Sequence, residues 1–240
     1  MGASALAAAA PAVPTAPPVP PAVPVPTAAL PAPAAAAVYR YARLDTAGKR
    51  STLIEIRVTR TALGLEIDST ELPGHREYAR LGPAMLQEVV RIDPAPGAKG
   101  APRSYVLNAG ADAWLVEGAA RGSLARGKNV YLGDRSFLLC IPCILDLKKT
   151  GAEARLDLIL PANGRRTAMR LRALGPVVAA GADGRGESAY KASLEPADPL
   201  LRAFWPYTYW YYYRAEDLLL LRYEGPEEAR RPSCIALLGD

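Results

Sequence analysis

The sequence predicts an all-β protein: a strongly curved antiparallel sheet, a half-barrel or open barrel with few short helices, behind a disordered Ala/Pro-rich N-terminus. Three observations carry this reading. From Val38 onward apolar and polar residues alternate with a period near 2. The alternating runs are short and are punctuated by Gly/Pro turn clusters. Strand-like and helix-like runs do not alternate, as a βαβ fold would require.

Composition divides the chain before any motif is sought. Residues 1–37 hold 16 Ala and 10 Pro, and no charge precedes Arg40. These prolines remove backbone donors and favour polyproline II, and the small side chains bury little, so the segment reads as a low-complexity tether. Near its start, residues 4–10 (SALAAAA) before Pro11 resemble the end of a secretory signal's apolar region, with Ala8-Ala9-Ala10 as a cleavage site but without a basic n-region. Two readings stand: a signal remnant whose start lies upstream, or plain Ala/Pro low complexity. Residues 38–240 read as a single β domain, long enough to bury a core without staples.

The elements follow in order. Residues 38–44 open the domain as a strand. In residues 51–60 (STLIEIRVTR), Ile54, Ile56 and Val58 share one face; residues 63–72 (LGLEIDSTEL) repeat the pattern with Leu65 and Ile67. Only Thr61-Ala62 separates the two runs, which predicts a hairpin. His75 falls in a turn (PGHRE), and residues 83–91 (PAMLQEVVR) fit one short helix or a strand. Residues 104–107 read as a strand. Gly122 to Asn129 imitates a P-loop, but Asn129 stands where Ser or Thr would hold Mg²⁺, so it reads as a Gly-punctuated loop. Residues 155–160 (RLDLIL) and 167–174 (TAMRLRAL) flank the turn cluster Pro161-Ala162-Asn163-Gly164 and predict a second hairpin. Further strands are expected at residues 188–194, 205–214, 218–224 and 235–238.

Charge and composition narrow the partners. The net charge is +5, and the Arg residues are scattered rather than gathered into a stripe, so no nucleic-acid activity is supported. Past the head, no charge-free apolar run approaches the roughly 20 residues of a spanning helix, so no transmembrane segment is expected.

The densest feature is residues 204–213 (FWPYTYWYYY). As a regular strand it places Trp205, Tyr207, Tyr209, Tyr211 and Tyr213 on one face and Trp210 and Tyr212 on the other. Such a strand is either covered on both faces or lines an apolar groove with one of them, and the five odd-numbered rings are the candidate groove wall. Cys140-Ile141-Pro142-Cys143 is the sharpest local motif. A redox C-x-x-C opens a helix whose dipole lowers the first thiol's pKa. Here the flanking run reads as extended, where positions i and i+3 point to opposite faces. Buried free thiols, or a bridge from one of them to Cys234, are the alternatives. His75 is the single histidine, no nucleophile elbow accompanies it, and Glu216/Asp217 and Glu227/Glu228 read as solvated charges beside turns. No catalytic residue, metal site or cofactor is assigned.

The C-terminal half, from residues 138–145 (LLCIPCIL) through 169–172 (MRLR), 177–181 (VVAAG) and 190–196 (YKASLEP) to 209–213 and 220–226 (LLRYEGP), is similar to an uncharacterised bacterial envelope family. That family is a domain of unknown function related to the lipoprotein-carrier (LolA/LolB-like) half-barrel. The resemblance covers residues 130–230 and implies a periplasmic, curved antiparallel sheet with an apolar concave face; Cys140 and Cys143 depart from its usual aliphatic stretch. It implies a non-enzymatic, exported envelope protein holding a lipid, an acyl chain or an envelope-protein partner's segment on that face. The alternatives are an interaction domain with a filled core on a Pro-rich tether and, more remotely, a thiol-redox protein using Cys140 and Cys143.

Overall fold

A computed structural model describes residues 36–45, 48–62, 64–72, 74–82, 85–96, 102–107, 113–117, 122–125, 130–160, 166–205, 207–226 and 232–239. The tether, the signal-like start and the turn at 161–165 lie outside them, as does the second half of the P-loop-like stretch. The first half of the chain forms β1 (Ala36–Leu44), β2 (Arg50–Thr61), β3 (Gly64–Glu71), β4 (His75–Leu81), β5 (Gln87–Asp93), β6 (Arg103–Leu107), β7 (Ala113–Glu117) and β8 (Gly122–Ala125). The second half forms β9 (Val130–Leu132), helix α1 (Arg135–Ile144), β10 (Glu153–Ile159), β11 (Arg166–Ala180) and β12 (Gly186–Pro196). Helix α2 (Pro199–Phe204), β13 (Tyr209–Arg214), β14 (Leu220–Pro226) and β15 (Pro232–Leu237) complete it.

All these strands belong to one curved, unclosed sheet of order β8-β7-β6-β5-β4-β3-β2-β1-β15-β14-β13-β12-β11-β10-β9. Neighbours are antiparallel except the β9–β10 pair. The expected fold class is therefore the observed one. The β2–β3 hairpin closes with Thr61 opposite Gly64. Gly64 has φ +138°, and a Cβ there would strike the Leu81 carbonyl oxygen, so only glycine fits. Register shifts at Arg43/Leu44, Arg80/Leu81, Ala173/Gly175 and Tyr212/Tyr213 bend the sheet toward closure. Gly175, at φ +98°, supplies the left-handed residue of the β11 bulge.

Alternation builds the inner face. Tyr41 on β1, Ile54 and Ile56 on β2, Leu65 and Ile67 on β3, and Ala79 and Leu81 on β4 are all buried in one core. From the other half, Leu156, Met169, Leu171, Ala192, Leu194, Tyr211, Tyr213 and Ile235 join the same cluster. Helix α1 packs into it. Among the described residues no helix is long and apolar enough to cross a membrane.

Three local readings are corrected. Residues 87–93 are a strand, so the helix option for 83–91 falls; β-branched Val89, Val90 and Ile92 suit the ladder. His75 is the first residue of β4, paired with Glu71 of β3, rather than a turn residue. The apolar run containing Cys140 and Cys143 is helical, because it fills the inside of a curved sheet and extends no ladder.

Candidate functional site

Helix α1 occupies the concave side of the sheet. Asp134 caps it, its Oδ1 accepting from the Phe137 N–H at 3.3 Å. Phe137, Cys140 and Ile141 are 2%, 0% and 0% exposed, and the Phe137 ring lies 5.7 Å from that of Tyr131 on β9. Pro142 sits inside the helix and has no N–H, so the Leu138 carbonyl four residues earlier lacks its helical donor. The Tyr213 hydroxyl of β13 donates to that carbonyl at 2.7 Å. A proline gap in the helix is thus filled by an aromatic side chain from the facing wall.

The N-terminal end of α1 rests on a polar cluster inside the curved sheet. Arg135, 8% exposed, donates to Ser69 Oγ at 3.0 Å and forms a close ion pair with Glu71. Glu71 also takes Arg43 Nε at 2.7 Å and Nη2 at 2.8 Å, and Thr52 Oγ1 at 2.8 Å. Burial pushes the Glu71 carboxyl up, but the bonds from Arg43 and the charges of Arg135 and Arg43 prevail and hold it at about 2. Glu77 accepts the Arg135 backbone N–H at 2.9 Å and lies 2.8 Å from His75 Nε2. Burial opposes its charge too; the Arg135 cation and the His75 bond outweigh that and lower it. Asp134 behaves in the opposite way: burial first, and then the Glu77 charge, push its carboxyl up to about 7.

The edge strand β9 comes up against the start of β5, an interior strand that pairs with β4 and β6, and no backbone ladder joins β5 to β9 among the described residues. The Gln87 side chain does the joining. Its Oε1 accepts the Leu132 N–H at 2.6 Å, and its Nε2 faces the Leu132 carbonyl at 3.1 Å, Asp134 Oδ1 at 2.7 Å and Ser136 Oγ at 2.8 Å. One amide thus imitates one rung of a β-ladder and ties it to the α1 cap.

The aromatic run divides differently from a single ten-residue strand. The strand begins at Tyr209; Trp205 lies before it as the C-cap of α2, and Tyr207 lies between them. Tyr211 and Tyr213 are 3% and 0% exposed on the inner face, and Tyr209 packs against the same core. The Tyr211 and Tyr223 rings stand 5.5 Å apart. Trp210 and Tyr212 face outward, with Lys191 Nζ 4.0 Å and 5.1 Å from their ring centres. A shallow open depression of about 500 Å³ lies elsewhere, along β11 and β12, lined by Pro176, Val178, Ser188 and Tyr190 among others.

All three cysteines are free thiols. Cys140 is the sixth residue of α1 and Cys143 the ninth, far from the helix's N-terminal end. Burial pushes both thiols up, Cys140 further because the Asp134 charge adds to it, and burial raises Cys234 as well. That is the direction opposite to thiolate activation. Among the described residues, no group of three or more His, Cys, Asp or Glu converges as a metal site would need. The polar cluster and the Gln87 bridge escaped sequence reasoning; the one signal for them was Asp134 placed just before an apolar run.

The fold and its site define a barrel-like β protein with an internal helix. No protein-family model matches the chain, and no curated protein matches it. Among solved structures it is similar to a beta-barrel-like protein of the domain of unknown function DUF1849 from Brucella abortus. The identity is 10%, the match covers 85% of this chain and 94% of that one, and the TM-score is 0.44.

Proposed function

We propose that the chain is a non-enzymatic, exported cell-envelope protein that holds an apolar ligand (a lipid, an acyl chain or a partner segment) on the concave face of its sheet, where α1 now lies. The observation that carries this is the seat of α1. The helix covers an apolar wall that includes Tyr213, and it is held there by side chains rather than by a backbone ladder. Removing it would bare aromatic and aliphatic surface of the kind that lines apolar ligand sites. The lipoprotein-carrier resemblance of the closing strands supports the same reading. So does the signal-like SALAAAA stretch, which also supports export.

The test is direct. Purified protein is extracted with organic solvent for mass spectrometry, and the stripped protein is titrated with a fluorescent fatty acid. Saturable one-site binding that competes with unlabelled fatty acid is expected. Cell fractionation should find the mature chain outside the cytoplasm. The second reading, an interaction domain with a permanently filled core, is favoured by the near-complete burial of Tyr211 and Tyr213. It wins if no lipid co-purifies and no probe binds, either to the wild type or to a Tyr213→Phe variant that loosens α1.

A further inference from the structure

We propose that the β5–β9 seam is a latch controlled by the charge on Asp134, and that α1 leaves the concave wall more readily once this carboxylate has lost its proton. The inference deepens the reading above and rests on it in taking α1 as the element that moves. Neighbours in the sheet hold each other through backbone pairs, β5 with β4 and β6 included, whereas β9 meets β5 with no such pair among the described residues. At the seam the connection is the Gln87 amide, and its Nε2 has two hydrogens for three acceptors. Asp134 Oδ1 is the shortest of the three at 2.7 Å, and the same oxygen also takes Ser136 Oγ at 2.8 Å and the Phe137 N–H.

Asp134 Oδ2 is the weak point. It is buried with no hydrogen-bond partner among the described residues. A neutral acid tolerates that position; a carboxylate there is a buried charge whose second oxygen has no donor. Of the groups around it, the Glu77 carboxylate makes matters worse. From β4 come Glu77, held next door by the Arg135 N–H, and His75; from β3 comes Glu71, from β1 Arg43, and from α1 itself Arg135 and Cys140. β5 presents the neutral Gln87. The cation at this end, Arg135, is spent on Glu71, Ser69 and Glu77.

The direction follows from linkage. Burial and Glu77 hold the closed-state carboxyl at about 7, against an ordinary value of 3.8. Closed protein therefore keeps a proton that open protein releases, and opening grows easier as pH rises through that window and levels off above it.

Hydrogen–deuterium exchange of the full chain without ligand, corrected for the intrinsic pH dependence, reads this at α1 and at the Leu132 amide. Protection should fall about tenfold between pH 5 and pH 6, the limit for one released proton, and flatten above pH 7. The β11–β12 amides should keep theirs. Asp134→Asn should remove the slope, and His75→Gln should retain it. A flat wild-type profile overturns the latch, as does an unchanged slope in Asp134→Asn, or β11–β12 amides that lose protection in step with α1. The wild-type profile decides even if a variant fails to fold. No ligand takes part, so failed fatty-acid binding would defeat the ligand reading and leave the latch standing.

Discussion

Glu71 is where the interior of the curved sheet accepts charge. Its side chain is 11% exposed and is met by two guanidinium groups and a hydroxyl, so desolvation is outweighed by direct pairing. Linkage turns this into a pH effect. A carboxyl lowered from 4.5 to about 2 contributes stability that is complete above its unfolded value and is lost as pH falls toward 2. The amount is about 3 kcal/mol. Urea unfolding of the full chain between pH 5 and pH 2 should show that loss, and Glu71→Gln should flatten it. At neutral pH the same variant leaves Arg135 without its closest partner and should cost about 3–5 kcal/mol, the scale for breaking a buried pair. A variant as stable as wild type at pH 7 would mean that Ser69 and Glu77 suffice to satisfy Arg135. Asp134 pulls the opposite way, so stability should be greatest where the two windows meet, at about pH 4.

At the level of elements, α1 and β13 form one unit. The Tyr213 hydroxyl completes a helix that Pro142 interrupts, and a double-mutant cycle can isolate that role. Tyr213→Phe should cost about 1–3 kcal/mol, because the Leu138 carbonyl is left buried and unpaired. In a Pro142→Ala background the new N–H serves that carbonyl, and the same change should cost well under half as much. Equal costs in both backgrounds would show that the hydroxyl is not standing in for the missing amide. On the same strand, Tyr211→Ala should cost roughly 3–5 kcal/mol. Trp210→Ala, on the outer face, should cost far less, about the worth of its contact with Lys191. How well these elements can be read in the sequence follows from the same physics. β2, β10 and β11 alternate cleanly, with apolar residues inward and charges outward, and β3 does so through Ile67 before Ser69 and Glu71 turn inward; their pattern announces them. β4 does not, because His75 and Glu77 point inward beside Ala79 and Leu81, so polar residues stand where the pattern expects apolar ones. α1 hides for a different reason: Leu138, Leu139 and Ile144 are apolar on its less buried side, which erases the 3.6-residue contrast, and Pro142 argues against a helix. The partners of Gln87 lie 45 to 49 residues away, beyond any local pattern.

The molecule as a whole is two meanders sewn together at one strand. β1 to β8 run in sequence on one side, and β9 to β14 run in reverse order on the other. β15 lies between them, pairing Ile235 and Ala236 with Arg43 and Ala42 of β1 and, on its other edge, with Tyr223 and Arg222 of β14. Among the described residues this is where backbone ladders connect the two halves; elsewhere the Gln87 amide of β5 reaches β9, and Arg135 of α1 reaches Ser69, Glu71 and Glu77. The position of β15 therefore decides whether the chain unfolds as one body. Ending the chain after Pro226 removes both ladders and the buried side chains of Ile235 and Leu237, each worth about 1.5–3 kcal/mol of burial, and uncovers Tyr41 and Tyr223. Against a total stability of about 5–15 kcal/mol for a typical domain, that loss is decisive. Calorimetry of the shortened chain should show the single transition of the full protein replaced by separate, weaker ones or by none, with near-ultraviolet dichroism from the tyrosine cluster lost. One sharp transition within a few degrees of the full-length midpoint would mean that α1 and Gln87 alone bind the halves together. Adding back a peptide of residues 227–240 should then restore the dichroism only if the strand is the seam described.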